Sequence, residues 1–254
     1  MPIRPLLRFL AAALALACGA AQADGLSDLK SALARLQAQT PVRATLEVRT
    51  IERHGEGADA REKQGQASVQ VEDGARGLQV TWARDTVARL DAESRALGRD
   101  PKAKTPTTWA LSQLDSTEVA PLVSAVTTLS RAIEDATFKG ERVDAWDGKP
   151  ARLLSFAIPV TRVPEDQRKY IKEFDGLLEI WIGADGTPLA SATRADIKGR
   201  AFVVVSFDAK DETRTTYGVV GDRLVTLRTE HHATSSGAGE RGDRRIVKTL
   251  QPLS

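Results

Sequence analysis

Apolar residues recur at every second position through most of this chain, and at helical spacing over a few shorter stretches. In residues 26–37, Leu26, Leu29, Leu33 and Leu36 fall on one stripe with Lys30 and Arg35 opposite, and Pro41 closes the segment. Strand alternation follows at once. Val42, Ala44, Leu46 and Val48 share one parity, and Arg43, Thr45, Glu47 and Arg49 share the other, so one face is buried and one is wet. Residues 54–63 are charged and read as an exposed loop. Ala67, Val69 and Val71 then face Leu78, Val80 and Trp82 in a hairpin with Asp73-Gly74 in its connection.

The period changes in the middle. Residues 85–97 read as a helix carrying Val87, Leu90 and Leu97, with Gly98 as its stop. Residues 99–108, with two prolines, read as a loop or hinge leading to Trp109. A second clear amphipathic helix carries Val119, Leu122, Val123, Val126, Leu129 and Ile133, with Pro121 suited only to its first turn. Sheet then resumes in a hairpin over 138–158 across Asp147-Gly148, interrupted by a charged surface helix in 159–174. Residues 176–208 predict three strands, turning at Asp185-Gly186 and Lys198-Gly199, the last strand running over 202–207. Strands at 212–219, 223–232 and 244–250 complete the pattern, with a mobile Ser/Gly-rich stretch at 234–242. About nine or ten hairpin-linked strands with few helices predict an α+β fold. Its form is a large curved antiparallel sheet, an unclosed half-barrel wrapped around the N-terminal helix and the helical insert.

The first 23 residues change the picture of the compartment. Arg4 and Arg8 precede an apolar run over 9–17, and Ala21-Gln22-Ala23 offers a small-x-small cleavage site, the order of a secretory signal peptide. The expectation is export to a periplasm and one mature domain over 24–254. Ala15-Leu16-Ala17-Cys18 is similar to the acylation box of bacterial lipoproteins, with Ala15 where that motif has leucine. Lipidation at Cys18 and an outer-membrane location are therefore the alternative fate. Cys18 is the only cysteine, so cleavage after Ala23 leaves no disulfide. Loss of Arg4 and Arg8 brings 36 basic residues level with 34 acidic ones, which argues against a nucleic-acid partner.

Candidate chemistry is sparse. His231 and His232 are adjacent on a strand and point to opposite faces, and His54 sits in a polar loop, so no metal site is expected. There is no nucleophile elbow and no phosphate-cradling glycine motif, so neither catalytic residues nor a cofactor are expected. Trp82 and Trp146 share parity with apolar neighbours, whereas Trp181 lies on the opposite parity from Ile180 and Ile182.

The segment Gly65-Gln66-Ala67-Ser68-Val69-Gln70-Val71, its return strand Leu78 to Trp82 and the later LEIWIGADGTPLASAT resemble the LolA/LolB lipoprotein-localisation fold. The resemblance implies an unclosed antiparallel barrel around helices, with an acyl chain in its hollow. On that basis Val80, Trp82, Trp109, Leu122 and Val126 are the candidate ligand-binding residues. The expected function is non-enzymatic binding or carriage of a lipid or acyl chain, with peripheral contact to a membrane. The alternative is an envelope protein with a filled core that acts through contacts with other envelope proteins.

Overall fold

In the computed structural model, which describes residues 24–37, 40–57, 60–201 and 205–253, the alternating segments form ten antiparallel strands. They are β1 (Val42–His54), β2 (Arg61–Gly74), β3 (Gly77–Trp82), β4 (Thr137–Trp146), β5 (Lys149–Ala157), β6 (Ile171–Ile182), β7 (Pro188–Ala201), β8 (Val205–Val220), β9 (Arg223–Gly237) and β10 (Glu240–Pro252). The α-helices among the described residues are α1 (Gly25–Arg35), α2 (Arg84–Arg99), α3 (Pro106–Leu111), α4 (Ser116–Val123), α5 (Val126–Glu134) and α6 (Glu165–Arg168), with one 3-10 turn at Val160–Arg162. All strands join one sheet in the order β3-β2-β1-β10-β9-β8-β7-β6-β5-β4. Its ends, β3 and β4, do not pair, so the fold is α+β with a large unclosed antiparallel sheet. The leader over 1–23 and Cys18 lie outside the described residues.

Strand ends depart from the expected pattern at two of the turns. Asp147-Gly148 does form the β4–β5 turn, with φ of 49° and 72°, the pair of positive angles a tight hairpin needs. Ala238-Gly239 does the same between β9 and β10, at 53° and 80°, so the expected mobile stretch is mostly strand. Lys198-Gly199 is not a turn. Both residues sit inside β7, opposite Asp208 and Phe207, and pairing continues to Ala201 opposite Val205. Gly199 is there because a Cβ would come within 2.2 Å of the Phe207 ring and 2.5 Å of the Tyr170 carbonyl. The strand expected over 202–207 and that over 212–219 accordingly merge into β8, with 202–204 outside the described residues.

Helix α1 forms as its stripe requires. Asp24 caps it by accepting from the Leu26 amide at 3.1 Å, and Leu29 and Leu33 are completely or almost completely buried. Burying each leucine contributes about 2 kcal/mol. Polar contacts set its position: Glu141 of β4 accepts from the Gly25 amide at 2.9 Å, and Arg152 of β5 reaches Asp28 at 2.7 Å. The second expected amphipathic helix is two helices. Asp115 caps α4, Pro121 lies inside it, and the chain breaks at Ser124-Ala125, where the Ala125 amide bonds to the Leu224 carbonyl of β9 at 3.0 Å. The ladder runs past Pro121 as far as the Ser124 amide, which bonds to the Ala120 carbonyl at 3.0 Å, and it stops where β9 takes the Ala125 amide.

Three apolar clusters result, the smallest joining Ala110 of α3 to Val48 and Ala67 of β1 and β2. Of the larger two, one joins α1 and α5 to Leu154, Phe156, Leu178 and Ile180 of β5 and β6. The other joins α4 to Val42, Ala44, Leu46, Val69, Val71 and Leu250 of β1, β2 and β10. Register places all these strand residues on one face of the sheet, the helix-bearing face. On the opposite face, Trp181 and Trp146 lie with ring centroids 5.1 Å apart, and Trp181 Nε1 donates to Asp144 at 3.2 Å.

One ion pair fastens the N-terminal strands to the rest. Arg223, at the start of β9, donates to the Asp73 carboxylate at the end of β2 and, at 3.2 Å, to the Thr40 carbonyl. The two side chains are only 4% and 19% exposed, so each charge depends on the other. Replacing Asp73 by Ala leaves the guanidinium buried and unpaired. The expected loss is about 3 kcal/mol in urea unfolding, most of it recovered by Asp73→Leu combined with Arg223→Met. An unchanged midpoint in the single variant refutes this role for the pair.

Candidate functional site

The helix-bearing face changes character across the sheet. One row of directly paired residues runs Ala67, Val48, Lys248, Thr229, Thr215, Ser191, Ile180, Leu154 from β2 to β5. The next runs Thr50, Ile246, His231, Thr213, Thr193, Leu178, Phe156. The first is apolar at both ends and the second at its β5–β6 end, and both are hydroxyl-rich over β7 to β9, with Lys248 continuing the polar stretch onto β10. Side chains of one parity are expected to be uniformly apolar under a helix layer. Here the middle of that parity is polar.

Over this polar middle lie two adjoining hollows of about 290 and 400 Å³. They share Glu118, Thr213, Thr229 and Lys248. The helix wall of the first is Thr117, Pro121, Leu122, Ala125 and Thr128, and its sheet wall includes Thr215, Tyr217 and Thr226. The second continues along β9 and β10 to His231, Arg244 and Gln113. A larger hollow of about 700 Å³ lies at the far ends of β1, β8, β9 and β10. Arg53, Asp208, Lys210, Arg241 and Asp243 line it, all projecting from the opposite face by register. Its charges cancel locally, Arg241 with Glu56 and Arg53 with Glu62. The cleft over the polar middle therefore has the more distinctive chemistry.

Polar partners hold the cleft's walls. Lys248 has a side chain 7% exposed and donates to Glu118, whose side chain is 55% exposed. Arg244 Nη2 donates to Gln113 Oε1 at 2.6 Å, and its buried Nε finds no partner among the described residues. His231 Nε2 lies 2.7 Å from Asp211. The Tyr217 hydroxyl is 2.9 Å from Ser191 Oγ, and burial pushes its ionisation above the ordinary phenol value, so it stays a neutral hydrogen-bonding group. Hydrogen bonds from Thr117 and from the Glu118 amide hold the Asp115 carboxyl below its ordinary value, which fixes the start of α4 and with it Glu118.

The five candidate residues from the sequence do not form one site. Val80 and Trp82 stand on the edge strand β3, 38% and 51% exposed. Trp109 lies on α3, half-buried, with Lys63 Nζ 4.6 Å over its ring. Leu122 and Val126 are packed into different clusters, and only Leu122 of the five borders the cleft. Lys248 and the threonines are not among the residues the sequence singles out, and Arg244, with Arg241 and Arg245, reads there as part of a solvated turn, whereas it lies inside β10 with its Nε buried. Their signal was present in the alternation of Thr213 with Thr215 and in Lys248 standing on the same parity as Ile246 and Leu250.

Helix α3 reaches the sheet through Gly65, where a Cβ would come within 2.5 Å of the Pro106 carbonyl and 3.2 Å of the Trp109 ring. Glu93 of α2 then caps α3, accepting from the amides of Thr107 and Thr108 at 2.7 and 2.9 Å. Burial raises the Glu93 pKa, but these bonds together lower it below the ordinary glutamate value of 4.5. Among the described residues no helix is long and apolar enough to cross a membrane. Nor does any group of three or more His, Cys, Asp and Glu gather as metal ligands there. Comparison with protein-family models, with curated proteins and with solved structures gives no match.

A carboxyl with a depressed folded-state pKa stabilises the fold fully above its unfolded value and stops doing so as pH falls through the folded one. The Glu93 cap is therefore expected to hold at neutral pH and to release α3 in acid below 4.5. In Glu93→Ala the Thr107 and Thr108 amides should exchange roughly five- to tenfold faster at neutral pH, as loss of a cap worth about 1 kcal/mol implies. Exchange rates equal to the wild type exclude the cap.

Proposed function

We propose that the chain is an exported, non-enzymatic, LolA-like binding protein of the bacterial envelope. Its sheet curves as a half-barrel around α1 and the α3–α5 insert, and one amphiphilic ligand sits between the insert and β7–β10. The leader over 1–23 supports export. The strand order, with the chain crossing from edge strand β3 to edge strand β4 through helices, supports a half-barrel.

The observation that carries the binding reading is the cleft's mixed lining. Pro121, Leu122 and Ala125 form an apolar wall, while Thr213, Thr215 and Thr229 form a hydroxyl wall. Binding sites typically pair apolar surface with a few placed polar groups. Threonine offers a methyl and a hydroxyl, so this sheet wall accepts an amphiphile better than a bare acyl chain. The ligand is thus placed under α4 and not across Val80, Trp82 and Trp109. Transfer of an acyl segment from water contributes about 0.8 kcal/mol per methylene buried.

A second reading, action through protein contacts, draws on Val80 and Trp82, exposed on the free edge strand β3. Native mass spectrometry of the mature protein, purified gently from a bacterial periplasm, separates the two. The carrier reading expects a co-purifying lipid near equal stoichiometry. An unchanged apo mass after incubation with lysophospholipid overturns it in favour of protein contacts. Filling the cleft by Thr229→Trp should lower lipid occupancy about tenfold while the melting temperature stays close to wild type. Full occupancy in a folded Thr229→Trp protein refutes the cleft as the binding place.

A further inference from the structure

We propose that the cleft contains a site for an anionic, oxygen-bearing group, held between Lys248 and Arg244, with Glu118 as a built-in competitor. This rests on the amphiphile reading and names the head group such a ligand carries.

The argument starts from an asymmetry. Lys248 projects from the middle of the sheet, and its side chain is almost fully buried at 7% exposure. A desolvated ammonium is costly unless an anion faces it. Its anionic partner, Glu118, is 55% exposed on the first turn of α4. The cation is fixed and dry, whereas the carboxylate loses little by turning into water. Any oxyanion delivered to the cleft meets the same ammonium and can take the place of Glu118.

Arg244 supplies the second half. It lies four residues away on the same face of β10, about 13 Å along the strand. Its partner is the neutral Gln113 amide, and its buried Nε donor has none among the described residues. A guanidinium keeps its charge under all ordinary conditions. Between the two cations stand Ile246 and, across the strands, His231 and Thr213. Asp211, 47% exposed, lies 2.7 Å from His231 Nε2 at the histidine end of the hollow. With Glu118 turned out, two cations and a threonine hydroxyl face one hollow of about 400 Å³. Charge-assisted bonds of this type are shorter and stronger than neutral ones.

If the Lys248–Glu118 pair only docked α4 on β10, removing the Glu118 charge would weaken the fold and leave anion binding unchanged. The competitor role expects the opposite for binding. The test uses the full mature chain and three probes measured by calorimetry below micellar concentration: lysophosphatidylglycerol, a monoacylglycerol of the same chain length, and inorganic phosphate. The anionic lysolipid should bind about tenfold tighter than the uncharged one. Lys248→Met should erase that preference without weakening monoacylglycerol binding, and Glu118→Gln should tighten the lysolipid by about three- to tenfold. Lys248→Met replaces a buried charge by an apolar chain of similar length and is expected to fold. Arg244→Met, with urea unfolding on each variant, gives a second and independent loss of preference.

Equal affinity for the charged and uncharged lysolipids overturns the anion site and leaves the amphiphile reading intact. A preference that survives in folded Lys248→Met also overturns the site. Phosphate that binds through Lys248 while neither lipid binds keeps the anion site and removes the lipid reading. No binding by any probe removes both.

Discussion

The chain depends first on a topological constraint: β1 pairs with β2 on one side and with β10, the last strand, on the other. That arrangement leaves β3 and β4, consecutive in sequence, at opposite ends of a ten-stranded sheet. At about 4.8 Å per strand the connection has some 43 Å to cover if the sheet were flat. Helices α2 to α5 make that crossing, and they do so over the face whose strand residues are apolar at both ends. The crossing segment thus also serves as the covering layer. The break at Ala125 and the Glu93 cap on α3 divide that connection into separate helices.

Two buried cations show how similar groups serve different ends. Arg223 has a partner, Asp73, that is also sheltered, and the pair ties the end of β2 to the start of β9. Such a pair specifies register, because a slip of one residue turns Asp73 to the other face. Lys248 is as buried as Arg223, but its carboxylate partner is in contact with water. The first pair is sheltered on both sides and reads as architecture. The second lies in a cleft and is the one suited to exchange partners.

Alternation made the strands legible, because apolar parity is a direct consequence of one buried face, and α1 was legible for the same reason at period 3.6. Boundaries were less so. Lys198-Gly199 looks like a turn until Phe207 is known to lie across it, and Ala238 gives no local signal of a positive φ. Helices α4 and α5 read as one because the competing acceptor, the Leu224 carbonyl, is distant in sequence. The site was least legible. Tryptophan marks both cores and pockets, so Trp82 and Trp109 stand out in the sequence, whereas alternating threonines look the same whether they face water or a cleft. Only the register across β7, β8, β9 and β10 shows that Ser191, Thr215, Thr229 and Lys248 form one row.

The pairing of β1 with β10 also sets an order of events in time. Thr45 lies opposite Gln251, a contact spanning about 200 residues, and contacts of such separation slow folding because a long loop closes before they form. A chain emerging from its N-terminus can zip β1 to β2 and later grow β4 through β9 as local hairpins. Between those two pieces one edge of β1 stays unpaired until the final 13-residue strand arrives. During that interval two open sheets coexist in one molecule, each able to pair with the wrong neighbour. The C-terminal strand therefore acts as the step that converts two independent halves into one cooperative unit.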